Sequence, residues 1–279
     1  MATMNRRWIH IALAALATTI AQAQTVTDSL FVADQPLRPA MSMFMASVGH
    51  ASILDSYLSP IRYQGLNLEL NYEHMQNTGF DPQRWARQLT LGVEYDNVDN
   101  RVGDNTMHAL MVDAQWGMMR RWQVAHNKLQ VLCGPMTQAR GGIIYDAANS
   151  NNVVSAKVRW SIGAMAMAQW NTRLARRPIA LRYQASLPVV GVFFSPDYDE
   201  SFYEIYLGNR SNLVHMGWWG NRFDFTQLLT ADWHLGGTIL RLGYRGRFET
   251  SWVNHLSTKI FTHSLVIGIG GEFLSVKRK

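Results

Sequence analysis

Alternation of apolar and polar residues, sustained for longer than an ordinary soluble strand, is the feature that most limits what this chain can fold into. A β-strand sends successive side chains to opposite faces. In residues 66–73, Leu66, Leu68, Leu70 and Tyr72 share one face and Asn67, Glu69, Asn71 and Glu73 the other. The pattern recurs at 88–95, 108–117, 154–170, 179–187, 240–252 and 261–273, and more weakly at 43–53, 127–145, 202–216 and 223–235. Strands of soluble sheets average about 5–6 residues, and several of these runs exceed ten. A wall with lipid on one side and a wet lumen on the other demands this pattern. The expected fold is therefore all-β: an antiparallel up-and-down transmembrane β-barrel. Counting clear and weak runs, and favouring an even number, gives about twelve strands, with ten as the alternative. Turn chemistry falls between runs at 77–82, 96–100, 147–152 and Gly236-Gly237, and Val189 to Tyr198, with Pro196, reads as a loop that could cover or plug the barrel.

Composition agrees. Charged residues are 16%, against roughly 25% in soluble domains, yet the mean hydropathy of −0.12 is too polar for a helical membrane protein. Residues 1–24 read as a signal peptide, with Arg6 and Arg7 before an apolar stretch from Ile9 to Ile20 and a small-x-small site at Ala21-Gln22-Ala23. No apolar run long enough for a transmembrane helix follows, so residues 25–279 are expected to form one outer-membrane barrel domain. The formal charge of +6 falls to about +4 without the leader. It is not gathered into a basic run, which argues against nucleic acid as a partner. The expected partner is the lipid bilayer of the outer membrane. Trp160 and Trp170 share a face ten residues apart, about 25 Å along the membrane normal for a tilted strand. With Trp252 they are assigned to the membrane interfaces. Cys133 is the single cysteine, so no disulfide framework or thiolate metal site follows.

Two motifs carry a resemblance. Ile53-Leu54-Asp55-Ser56-Tyr57-Leu58-Ser59-Pro60, with Tyr63 and Gly65, and Ser201-Phe202-Tyr203-Glu204-Ile205-Tyr206-Leu207-Gly208 resemble an uncharacterised Bacteroidetes-type family of exported outer-membrane barrel proteins. The resemblance implies location and fold over most of the mature chain, and no chemistry.

If the apolar faces meet lipid, Glu69, Glu73, Glu94 and Asp113 face the lumen from early strands, and Lys157, Arg159, Arg182, Arg241, Arg245, Arg247 and Glu272 from later ones. Segregated signs across a pore would select charged solutes. Unpaired buried charges are costly, however, and a small barrel holds little water, so pairing across a filled interior is expected. Sheet closure would set Glu272 beside the acidic wall. By the same face assignment, arginine at Ala164 should be costly and arginine at Ser161 much less so. His50-Ala51-Ser52 and His255-Leu256-Ser257 each put a base and a hydroxyl on one strand face, as a lipid hydrolase would need. No third group to orient either histidine is identifiable, so no catalytic residue is assigned. Gly268-Ile269-Gly270-Gly271 lies in a strand and cannot cradle phosphate. Trp218-Trp219 reads as interfacial aromatics. No metal or cofactor is implied. The leading function is a structural or binding barrel, ahead of a narrow solute channel and a lipid hydrolase.

Overall fold

In a computed structural model the described residues are 38–275, apart from 125–127, 150–151, 175–176, 198–200 and 209–211. The leader and the basic C-terminal tail lie outside them. Eleven strands and one short helix follow in order: β1 (Arg38–Asp55), β2 (Tyr63–Asn77), β3 (Trp85–Asp99), β4 (Thr106–Val124), β5 (Leu129–Asp146), β6 (Val154–Leu174), β7 (Arg177–Phe194), α1 (Phe202–Tyr206), β8 (Val214–Trp218), β9 (Arg222–Leu235), β10 (Thr238–Val253) and β11 (Leu256–Ser275). Every pairing is antiparallel, β1 meets β11, and β6 meets β7, so the sheet closes.

The closed ring holds ten strands, with β8 outside it. This corrects the expectation of twelve. Residues 202–216 mimic a strand, but Ser201 begins α1 instead. Its hydroxyl accepts from the Glu204 backbone N–H while the Glu204 side chain accepts from the Ser201 N–H, a complete capping box. The loop expected from Val189 is also displaced. β7 runs on to Phe194 because one extra residue is absorbed opposite Ile162 and Gly163, beside Pro188, and a bulge is where a strand tolerates proline. The N-terminal half of β7 pairs with β9 and its C-terminal half with β8.

Register fixes the shape. Neighbours of Ala46 run through Leu70, Val93, Val112 and Gly141 to Val158 one way, and through Ile267, Leu242, Ala231 and Leu181 to Trp170 the other. That stagger along β6 tilts the strands by about 40° and sets a backbone radius of roughly 10 Å. One face of every ring strand is buried and the other exposed. Leu70 is 65% exposed and Ile267 62%, while Glu69 and Glu73 on the opposite face of β2 are 3% and 1%. The barrel is thus apolar outside, with its charged side chains turned inward.

Candidate functional site

The interior is layered along the barrel axis. At the end away from the termini lies an apolar plug. The β1–β2 loop turns inward, with Leu58 and Ser59 N–H donating to the Asp55 carbonyl at 3.0 and 2.9 Å. This buries Tyr57 and Leu58 among Ile53, Tyr63, Met111 and Ile144. Phe202 of α1 meets Tyr57 edge-on, ring centroids 5.7 Å apart. The two motifs that carried the family resemblance therefore touch at this end.

Beneath the plug is an ion-pair lattice in two tiers. In the first, Arg247 bridges four carboxylates: Glu69 at 2.9 Å, Asp113 at 3.4 Å, Glu249 at 3.8 Å and a close contact to Glu94. Arg245 meets Glu69 at 2.6 Å. Arg140 reaches Glu94, Asp113 and Glu249 at 2.9, 3.2 and 3.0 Å. Arg159 grips Glu249 with both Nη atoms, at 2.5 and 3.0 Å, a planar fork that only arginine supplies. Asn67 donates to Glu94 and Asp96 at 3.3 and 2.7 Å. In the second tier Glu73 takes Arg182 and Arg241, both at 2.5 Å, and Gln88 at 2.6 Å. Arg241 also holds Asp232 through two bonds of 2.7 and 2.6 Å. Small interior residues make room for these long side chains: a Cβ on Gly92 would lie 2.8 Å from Asn71 Oδ1 and 2.9 Å from Asp113 Oδ1.

Of the residues singled out in the sequence, Glu69, Glu73, Glu94, Asp113, Arg159, Arg182, Arg241, Arg245 and Arg247 come together in this lattice. Lys157 sits at the rim, 2.9 Å from Asp55. Glu272 does not join the acidic wall. It pairs in register with Met41 and faces His234 at 3.8 Å, its side chain 64% exposed at the mouth near the termini. Arg140, Asp224, Asp232 and Glu249 complete the lattice. The first three lie in the weakly alternating stretches 127–145 and 223–235, where parity was the available signal.

Outside, Trp160, Trp170 and Trp252 are 47%, 56% and 66% exposed. Trp85, Trp122, Trp170 and Trp233 all lie near the terminus-side turns, and Trp160, Trp218, Trp219 and Trp252 toward the other end. Cys133 is exposed. Neither His-x-Ser triplet has a hydrogen bond between its own members among the described residues. His50 is exposed on the outer face, and His255 forms the β10–β11 turn with φ 60°. Among the described residues no group of three metal-ligating side chains is placed to hold an ion.

A family model described as a protein of unknown function, DUF3316, matches residues 9–279. The chain belongs to the DUF3316 family. This agrees with the resemblance at the level of an uncharacterised family. No curated relative matches this DUF3316 chain in sequence. Among solved structures it is similar to the outer-membrane protease OmpT of Escherichia coli (TM-score 0.44, 6% identity, covering 88% of this chain and 99% of that one). It is also similar to the transport unit of the autotransporter AIDA-I of Escherichia coli (0.41, 10%, 92% and 97%), and to Neisserial surface protein A (0.34, 10%, 83% and 97%).

Proposed function

We propose that this DUF3316 protein is an outer-membrane barrel with a structural or binding role, whose lumen is sealed rather than conducting. The observation that carries the reading is the filled interior. The two cavities that touch the charged tiers measure about 30 and 40 Å³, room for about two or three waters each; the first runs up to the rim at Lys157 and Thr258 beside the apolar plug. Solute passage would require breaking several buried ion pairs at once, each costly to separate in a dry interior.

The bilayer is its environment. Exposed Leu70, Val93, Leu242, Leu265 and Ile267 form an outer apolar band, flanked at both ends by tryptophans as at membrane interfaces. In this reading the chain belongs to a Gram-negative envelope, with the terminus-side turns toward the periplasm and α1 outward; the expected leader at residues 1–24 and the resemblance to a Bacteroidetes-type family support it. Membrane fractionation with N-terminal sequencing, followed by planar-bilayer recording, tests it. The expected results are a heat-modifiable outer-membrane species starting near Gln24 and no steady conductance. A soluble periplasmic species would refute the location. Stable ohmic openings of the wild type would refute the sealed lumen.

A further inference from the structure

Below the second tier the lumen opens toward the termini as a cup of about 440 Å³, within the range of roughly 300–1,000 Å³ typical of small-molecule sites. Arg121 and Arg182 line it. Arg182 is only 2% exposed and is held by Glu73 and Gln184, whereas Arg121 has no carboxylate partner among the described residues and donates through Nη2 to Asn77 Oδ1 at 2.9 Å. A guanidinium carries five donors in a planar fork, so Arg121 keeps donors beyond the one given to Asn77 that match a carboxylate in geometry and charge. The neighbouring acids do not fill that need: Asp232 is held by Arg241 and Glu272 leans to His234. Met41, Met75 and Leu132 supply apolar wall.

We infer that this cup binds a small organic carboxylate with an apolar body, its carboxylate on Arg121 and its chain against Met41, Met75 and Leu132. The closed tiers above make the cup blind, so a ligand enters and leaves by the same mouth. The site does not depend on the absence of conduction, because its walls stand on the terminus side of the tiers whether or not the barrel conducts.

The test uses the full mature chain in lipid nanodiscs, titrated with carboxyl-¹³C hexanoate and followed by NMR. Empty nanodiscs and Arg121→Gln discs share the same partition background. The expected result is saturable binding of one hexanoate per chain, weakened about tenfold or more in Arg121→Gln, partly restored in Arg121→Lys, and absent for neutral hexanamide. Arg121 lies outside the ion-pair tiers, so the variant is expected to fold, and its heat-modifiable shift checks that. Equal uptake by wild type, variant and empty discs would overturn the inference, as would no saturable uptake. Binding that emerges only once residues 25–37 are removed would also overturn it, in favour of the chain's own N-terminal segment as the occupant.

Discussion

Replacing Arg241 by methionine is the sharpest probe of the lattice. Arg241 is the one partner of Asp232 among the described residues, holding it through two bonds of 2.7 and 2.6 Å, and Asp232 is 4% exposed. Glu73, the other carboxylate on Arg241, keeps Arg182 at 2.5 Å and Gln88 at 2.6 Å. The change therefore strands one buried carboxylate, and such losses run to about 3–5 kcal/mol. Asp232 borders the cup, where water can reach it, so the lower end of about 3 kcal/mol is expected. Arg245→Met is the control. Glu69 retains Arg247 at 2.9 Å, and losing one charged hydrogen bond should cost about 1.5 kcal/mol. Urea unfolding in lipid vesicles, followed by tryptophan fluorescence, ranks the three proteins. Arg241→Met/Asp232→Asn should recover about 1–2 kcal/mol of the loss. If Arg241→Met unfolds at the wild-type midpoint with the same slope, the lattice is hydrated and its pairs do not hold the interior together.

Ala164→Arg, on the exposed apolar face, should impair assembly by about 2–4 kcal/mol in a vesicle-insertion assay. Ser161→Arg was expected from parity to be mild. The interior is filled and Ser161 is 5% exposed, on the same strand face as Arg159, so overpacking and like charge should cost about 1–3 kcal/mol; comparable destabilisation of both variants is now expected, and full tolerance at Ser161 would argue for an open lumen. Gly92→Ala should press on Asn71 and Asp113 and lower the unfolding free energy from urea titration by about 1–3 kcal/mol, whereas a neutral result would mean the lattice can shift. Hydrogen bonds from the Ser201 backbone and hydroxyl hold the Glu204 carboxyl below its ordinary 4.5. Their contribution to α1 is whole above that value and is lost as pH falls below it through the folded value. Amide exchange at Ser201 should accelerate there in the wild type and not in Glu204→Gln.

The barrel class was legible because two solvents impose two opposite faces, and parity survives any detail of loop or tilt. Parity also gathered nine of the lattice charges, since a charge on the polar face of a wall strand has nowhere else to go. It stopped short where the interior is apolar. Met165 and Met167 break the alternation of β6 because they pack with Leu132 and Met136 below the charges, so inward does not mean polar everywhere. The strand count failed at Ser201-x-x-Glu204, a helix-start signal hidden inside an apolar stretch. Glu272 was misplaced because closure fixes which strands meet but not at what height. Its level follows from the register of Met41 with Glu272, which no single strand encodes.

That same closing register, running unbroken from Arg38 opposite Ser275 to Asp55 opposite Thr258, also governs the order of events during assembly. Hairpins such as β10–β11 join across a two-residue turn and can form as soon as both strands exist. The β1–β11 seam must wait for β11, more than 200 residues after β1, and contacts so distant in sequence form slowly. Until then both strands present open edges ready to pair with any neighbour. A chain shortened by one strand at either end would lose the seam itself and remain a curled sheet with two sticky borders.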